Sequence, residues 1–246
     1  MIDMLALYLD NSYQDALHKF NNSNCKWNSF KGVHLSVSKN RCPICEYLFE
    51  ENSETRRENK NGKNLLVPTV DHYRPQEYYP FLKCDHKNYL LMCFECNSSY
   101  KKSKFPIYNS FIRATNHQEV IEEKPLIINP IKDDVYELFV LVFKTNSRIL
   151  ELKPKASSGY LYEKAFETIK LFGLGYCEIY RHQSESIHNC RIRVLRKHFV
   201  VFYKFAKALI ERDRTKANLE FKQNRELFKS YGIYEFIKRK QFEILA

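Results

Sequence analysis

Residues 42–45 of the chain are Cys-Pro-Ile-Cys and residues 93–96 are Cys-Phe-Glu-Cys. Within each pair two residues separate the cysteines, a spacing that lets one tight turn direct both thiolates at the same tetrahedral zinc ion. Two such pairs supply the four ligands of a closed structural zinc site, whereas the alternative is two unrelated pairs of buried thiols. We predict one structural zinc site made of four residues: Cys42, Cys45, Cys93 and Cys96.

The other four cysteines show no comparable spacing. The first ten residues lack the basic segment of a signal peptide, so we expect a cytoplasmic protein whose thiols stay reduced. We therefore expect free thiols, in the core or on the surface, at the remaining positions: Cys25, Cys84, Cys177 and Cys190.

The composition of the chain indicates a folded protein with a polyanionic partner. Of the 246 residues 44% are hydrophobic and 15% aromatic, which excludes disorder along the whole chain. No run approaches the roughly 20 apolar residues of a transmembrane helix, so we expect no membrane partner. A formal charge of +11 favours nucleic acid, and residues 111–246 carry much of it, with 25 Lys and Arg against 17 Asp and Glu.

The hydrophobic pattern predicts an α+β fold in three parts, and the first two cover residues 1–40 and 41–110. Residues 1–20 have helical spacing that is interrupted near Asn11, which predicts one broken helix or two short ones. In the second part, residues 53–64 are charged and poor in apolar side chains, so we expect a mobile loop there. Short apolar runs predict strands at residues 65–70 and 89–92, and a helix is expected within residues 97–104.

The third part, residues 111–246, is predicted to be mainly helical and to serve docking or substrate contact. Apolar runs at residues 138–143 and 149–152 predict a hairpin, and from residue 160 the pattern is helical nearly to the end. An apolar stripe with helical spacing is interpreted as core along one long helix. It consists of Ile187, Cys190, Val194, Leu195, Phe199, Phe202, Phe205, Leu209 and Ile210.

Three polar residues have the chemistry that phosphodiester hydrolysis requires. Two of them lie between the cysteine pairs and the third directly follows the second pair. His72 carries an imidazole, the side chain that most often serves as a general base, while Asp71 and the side-chain oxygen of Asn97 are hard ligands for Mg²⁺ or Mn²⁺. Adjacent residues of a strand face opposite ways, so the spacing alone does not place Asp71 and His72 on one face.

The order of these residues resembles the HNH nuclease family and its ββα-metal core. The family pattern D-H-x-x-P, N-x-L and C-x2-C-[HN] is matched by residues 71–75, 88–90 and 93–97, with Asn at the last position. The resemblance implies that His72 is the general base and faces the substrate, and that Asp71 and Asn97 bind the catalytic Mg²⁺ or Mn²⁺. It also implies that Asn88 holds the connecting loop and steadies His72, and that the zinc is only structural.

Other polar residues near the motif have weaker assignments. Asp85-His86 is a second Asp-His pair, but only six residues separate His86 from Cys93, too few for a second strand and its loop. We therefore expect His72, and not His86, in the site. Four basic residues flank the motif as phosphate contacts or as solvated surface charges: Arg74, Lys101, Lys102 and Lys104.

A narrower resemblance extends beyond the core. Residues 96–106, 125–134 and, more weakly, 166–174 are similar to the PtuB-type HNH subunit of Septu and retron-associated antiphage defence systems. The resemblance implies an ABC/SMC-like ATPase partner of the PtuA type and, in retron operons, a reverse transcriptase with its DNA–RNA product. It also implies a nuclease that stays inactive until infection.

Three functions remain open at the level of sequence. The chain could be an HNH endonuclease acting on DNA, the same nuclease acting on tRNA or other RNA, or a zinc-ribbon module that binds nucleic acid or protein without catalysis. A binding module has no need for Asp71, His72 and Asn97, which favours the nuclease. The motif does not distinguish between the deoxyribose of a DNA substrate and the ribose of an RNA substrate.

Overall fold

The computed structural model describes residues 1–49, 67–174 and 186–245, without the side chains of residues 186–197 and 230. These residues form a mixed α+β fold, as predicted. The helices are α1 Asn11–Asn21, α2 Lys31–Val37, α3 His117–Glu122, α4 Val135–Leu138, α5 Gly159–Phe172, α6 Ser186–Ile210, α7 Arg214–Gln223, α8 Arg225–Ser230 and α9 Gly232–Lys238. The strands are β1 Pro68–His72, β2 Tyr89–Cys93, β3 Phe139–Lys144, β4 Ile149–Pro154 and β5 Phe242–Leu245.

The N-terminal segment contains the predicted helical break. A 3₁₀ turn at Leu7–Leu9 precedes α1, and the Asp10 side chain accepts a hydrogen bond from the amide of Ser12 at 2.9 Å. This N-cap satisfies an amide that has no partner within the helix, so α1 begins anew at Asn11. One face of α1, including Tyr13 and Phe20, is buried in the core.

The central element is an antiparallel hairpin of β1 and β2, followed by a seven-residue π-helical segment, Glu95–Lys101, that we call the site helix. In the hairpin His72 pairs with Tyr89, and Pro68 pairs with Cys93. All five residues of β2 are buried. The predicted strands and helix are therefore present, although β1 continues to His72. The predicted loop at residues 53–64, together with Leu65 and Leu66, lies outside the described residues.

A second sheet, with strand order β4-β3-β5, lies in the C-terminal part. The predicted hairpin is confirmed, because β3 and β4 pair antiparallel. Strand β5 lies beyond the predicted helical region, and no sequence pattern indicated it: residues 242–245 pair in parallel with β3. On α6 the residues Phe199, Phe202 and Phe205 are buried as predicted, whereas Ile210 at the helix end is 58% exposed.

Two of the four unpaired cysteines differ from the prediction. Cys25 and Cys84 form a disulfide with their Cα atoms 5.4 Å apart, so the expectation of free thiols is wrong at both positions. Their separation of 59 residues gives no local pattern from which the pairing could be inferred. The bond joins the segment after α1 to the connection between β1 and β2. Cys177 and the side chain of Cys190 lie outside the described residues.

One hydrophobic core draws side chains from all three predicted parts of the chain, for example Phe30, Leu91 and Phe139. Burial of such large apolar side chains is the main favourable contribution to folding. Among the described helices, none combines the length and the apolar character needed to cross a membrane.

Candidate active site

The structure brings the four predicted zinc ligands together. Cys42 and Cys45 lie in a turn after α2, Cys93 ends β2 and Cys96 lies in the first turn of the site helix. Their four sulfur atoms all lie within 4.8 Å of one another, and the Cys45 and Cys93 sulfurs are 3.8 Å apart. Tetrahedral zinc with bonds of about 2.3 Å separates its sulfur ligands by about 3.8 Å. The cluster therefore fits a zinc ion.

The electrostatics of this cluster also favour a cation. Burial raises the pKa of the Cys93 and Cys96 thiols. At Cys42 burial acts in the same direction, but hydrogen bonds from the neighbouring thiols outweigh it and lower the pKa. The amide of Cys93 also donates to the Cys42 sulfur at 3.3 Å. Four buried thiolates need a divalent cation to balance their charge, so metal binding and proton release are coupled.

Asp71 and His72 lie at the end of β1 with their side chains near each other. His72 is the last residue of the strand, and its Nδ1 atom is 3.7 Å from the Oδ1 atom of Asp71. Strand alternation alone would direct these side chains to opposite faces. Their closeness shows that the His72 ring turns toward Asp71 where the strand ends.

The His72 ring is fixed by its second nitrogen. Its Nε2 atom lies 3.1 Å from the carbonyl oxygen of Lys83, which also accepts the Tyr89 hydroxyl at 2.7 Å. A carbonyl oxygen only accepts, so Nε2 must carry the proton and, in the neutral ring, Nδ1 has a free lone pair. Packing against the Tyr89 ring, with centroids 5.0 Å apart, further restricts the imidazole. The basic nitrogen therefore faces Asp71.

Lys101 supports this pair from the last turn of the site helix. Its ammonium donates to the carbonyl oxygen of His72 at 2.9 Å and lies 4.0 Å from the Oδ2 atom of Asp71. The side chain is only 1% exposed, and this burial lowers the pKa of Lys101. At Asp71 burial acts to raise the pKa, but His72 and Lys101 outweigh it, and the pKa is lowered. Asp71 is thus held as a carboxylate.

Asn97 lies on the same side of β1 as Asp71. Its amide nitrogen donates to the Thr69 hydroxyl at 3.3 Å, and Thr69 and Asp71 share one face of the strand because they are two residues apart. This contact uses the amide nitrogen, so the amide oxygen is the atom that would bind a hard cation. The site helix thus brings Asn97 and Lys101 to one face of β1.

Asn88 is buried and holds the chain directly after His72. Its Oδ1 atom accepts from the amide of Arg74 at 2.8 Å, and its Nδ2 atom donates to the Arg74 carbonyl at 3.1 Å. These two bonds tie the end of β1 to the residue that precedes β2. The effect of Asn88 on catalysis stays a prediction.

Two of the four basic residues are buried, so they do not lie on the surface where a contact with phosphate was expected. Arg74 is 6% exposed and forms an ion pair with Glu123 at 2.9 Å, while Lys101 is buried beside Asp71. Their expected role as exposed phosphate contacts is therefore corrected to an internal one, because a phosphate backbone cannot reach a buried cation that is already paired. Lys102 and Lys104 are exposed, and their contact with nucleic acid stays a prediction.

The second Asp-His pair has local partners. Asp85 caps a 3₁₀ turn at residues 86–88 by accepting from the amide of Lys87 at 2.9 Å. His86 Nδ1 is 2.8 Å from the hydroxyl of Tyr13 on α1, and its ring packs near Phe30. His86 thus contacts the N-terminal segment, while Asp85 caps its own turn.

Comparisons with known proteins give one informative similarity. The chain is 29% identical over 166 residues to the Septu protein PtuB of Bacillus mycoides (strain KBAB4). The match covers 67% of this chain and 53% of PtuB, so the chain spans about half the length of this relative. No family model and no solved structure matches. The similarity supports the narrower resemblance that the sequence motifs indicate, that of a PtuB-type relative.

Proposed function

We propose that the chain is a metal-dependent endonuclease of the HNH type that hydrolyses phosphodiester bonds of nucleic acid. The observation that carries the proposal is the His72 ring, whose Nδ1 atom is left basic by the Lys83 carbonyl and lies 3.7 Å from the Asp71 carboxylate. A zinc-ribbon binding module would need the cysteine cluster, but not an oriented imidazole beside a partly exposed carboxylate. The hairpin and the site helix supply the ββα order that an HNH core requires.

In this mechanism His72 takes a proton from the attacking water at Nδ1. The Lys83 carbonyl keeps Nε2 protonated and stabilises the imidazolium that forms, and the water oxygen attacks phosphorus as the bond to the 3′ oxygen breaks. The leaving 3′ oxygen takes a proton from solvent water, and His72 returns its proton to solvent. Asp71 and the Asn97 oxygen would hold Mg²⁺ or Mn²⁺, which supplies charge neutralisation at the phosphate. The zinc cluster would tie the turn after α2 to the end of β2 and to the site helix, and it takes no part in the chemistry.

The cellular role is proposed from the similarity to the Septu protein PtuB. We assign the chain as the nuclease effector of an antiphage defence system, acting with an ABC/SMC-like ATPase subunit. A retron reverse transcriptase and its DNA–RNA product are further candidate partners in operons that contain them. The charge of residues 111–246 makes this part the expected surface for the ATPase or for nucleic acid.

Incubation of the purified full chain with duplex DNA, single-stranded DNA and total tRNA tests the proposal. Reactions with and without the ATPase subunit contain Mg²⁺, and matched reactions contain Ca²⁺, which binds the same ligand types but is larger and less strict in geometry. We expect cleavage of one substrate class in Mg²⁺ only. Binding without cleavage of any substrate, with the partner present, would instead support the zinc-ribbon module.

Replacing Lys101 with Met tests its support of the site. The change keeps an apolar stem but removes the ammonium that holds the His72 carbonyl, so His72 becomes less well positioned. We expect kcat for cleavage to fall by about tenfold to a hundredfold, the scale of a small misplacement of a reacting group. The Mg²⁺ concentration for half-maximal activity should fall, because a cation 4.0 Å from Asp71 is lost.

The control for this variant is Lys222→Met, an exposed lysine on α7. It loses the same charge and should match the unmodified chain in both kinetic quantities. A Lys101→Met chain with unchanged kcat and unchanged Mg²⁺ requirement would show that Lys101 is only a packing residue.

A further inference from the structure

Arg113 is a cation without a hydrogen-bonding partner in the described part of the chain. Its guanidinium carbon stacks over the Tyr78 ring, 4.2 Å from the centroid, and its Nε atom is buried without a hydrogen bond. A buried donor that lacks an acceptor costs about 1–3 kcal/mol, so such groups commonly mark a place where a ligand supplies the acceptor. The terminal nitrogens of Arg113 likewise form no hydrogen bond among the described residues, so the guanidinium has donors available for an anion bound in the cavity that it lines.

The acidic side chain that could have paired with Arg113 is already engaged. Glu123 lines the adjoining surface, but its carboxylate accepts from Arg74 at 3.0 Å and from the Tyr79 hydroxyl at 2.8 Å. It also accepts from the amide of Ala114 at 3.0 Å. Glu123 is thus engaged by other donors and forms no ion pair with Arg113.

Arg113 borders a cavity of about 410 Å³ with an excess of positive charge. Its polar and charged lining consists of Tyr78, Ser103, Lys104, Arg113, Glu167 and Lys170. Lys170 and Glu167 form an ion pair at 3.1 Å and cancel each other, whereas Lys104 and Arg113 have no carboxylate partner among the described residues. The volume is ample for a phosphate group, and a planar guanidinium matches its oxygens in pairs.

The cavity is joined to the candidate active site through Lys101. The Lys101 ammonium that holds the His72 carbonyl also donates to the carbonyl of Lys102 at 3.3 Å. The amide of Lys104 in turn donates to the Lys101 carbonyl at 2.8 Å. The turn that carries Lys104 is therefore fixed to the residue that positions the proposed base.

We propose that the cavity between Tyr78, Lys104 and Arg113 is an anion subsite that binds a phosphate of the nucleic-acid strand beside the scissile bond. The proposal rests on the proposed nuclease function and extends it to the binding of the flanking strand. Arg113 supplies a charge-assisted donor pair, Tyr78 holds the guanidinium plane, and Lys104 adds a second positive charge.

Binding of short labelled single strands of DNA and RNA to the full chain tests the subsite, with Ca²⁺ replacing Mg²⁺ so that binding is measured apart from cleavage. We expect Arg113→Gln to weaken binding of the substrate strand about tenfold. The slope of log K against log salt should become shallower by about 0.7, the value for one lost phosphate contact on a single strand. Arg113→Lys should also weaken binding but keep the slope, because lysine retains the positive charge but lacks the planar pair of N–H donors of the guanidinium.

A control variant, thermal unfolding and binding of small phosphates make the outcome of the binding measurement decisive. Lys222→Gln removes an exposed charge on α7 and should change neither affinity nor slope, and thermal unfolding of each variant reports on folding. Equal affinity and slope for Arg113→Gln and Lys222→Gln would overturn the subsite even if the chain cleaves nucleic acid. A mononucleotide or inorganic phosphate that binds Arg113 as tightly as the strand would also overturn it. Loss of strand binding on Arg113→Gln in a chain that never cleaves would uphold the subsite and reject the nuclease.

Discussion

His72→Ala is expected to lower nucleic-acid cleavage by roughly 10²- to 10⁴-fold, the usual contribution of a positioned general base. Removal of the imidazole leaves the attacking water without an acceptor for its proton, while the Lys83 carbonyl can still accept the Tyr89 hydroxyl. The fold and the zinc content should therefore stay unchanged. Initial rates in Mg²⁺, with circular dichroism and elemental analysis on the same preparation, measure the three quantities together.

The matched control is His86→Ala, which changes the histidine of the second Asp-His pair. His86 bonds to Tyr13 and not to the end of β1, so this variant should retain cleavage and lose only some stability. Asp71→Ala and Asn97→Ala should instead raise the Mg²⁺ requirement, with partial rescue by excess metal. If His86→Ala abolished cleavage and His72→Ala retained it, the assignment of the motif to Asp71-His72 would be wrong.

The second large effect concerns the cysteine cluster. We expect about one zinc per chain and, for Cys42→Ser or Cys96→Ser, insoluble or partly unfolded protein. Zinc binding to four thiolates contributes on the order of 10 kcal/mol to small zinc domains, comparable with the whole stability of a domain. The cluster also ties the turn after α2 to the site helix, so its loss frees both elements. Elemental analysis of protein purified without chelator measures the zinc content.

Cys177→Ser is the control for the cluster, because Cys177 belongs to neither C-x2-C pair. It should fold and retain its zinc. Soluble, folded Cys42→Ser protein with no zinc, or unmodified protein that contains none, would show that the four sulfurs are a packed cluster of thiols.

The parts of the site that the sequence predicted are those encoded locally. Each cysteine pair is a short turn, so its spacing already determines where two ligands point, and the buried strand β2, Tyr89–Cys93, follows from its own continuous apolar run. The hairpin of β3 and β4 is likewise a pairing of neighbours in sequence. Local patterns of this kind are strong because few alternative geometries satisfy them.

The parts that the sequence did not predict depend on contacts between distant residues. The acceptor for His72 is a backbone carbonyl, that of Lys83, and any residue type could have supplied it. Arg74 pairs with Glu123, which lies 49 residues later, and β5 joins β3 from the far end of the chain. Nothing in the local sequence of Lys101 indicated its burial, because the side chain is covered through its contact with the end of β1. Exposed and buried lysines have the same sequence signature until the fold is known.

The positions of the cysteines along the chain have a topological consequence. The disulfide connects Cys25 to Cys84, and a bound zinc connects Cys42 and Cys45 to Cys93 and Cys96. These two connections overlap along the chain, since the zinc connection begins inside the loop that the disulfide closes and ends beyond it. Any single cut between Cys45 and Cys84 therefore leaves two fragments that both connections still bridge.

A chain cut once in this interval should stay together as long as either connection survives. On a native gel we expect the nicked protein to remain one species after addition of a reductant alone or of a chelator alone, and to lose both connections only when the two are combined. The hydrophobic core that the fragments share adds to this cohesion, so mild denaturant is needed to display it. With zinc bound, the ββ-helix unit that carries Asp71, His72 and Asn97 would thus be tied to the segments before β1 by two connections of independent chemistry, the disulfide and the metal site.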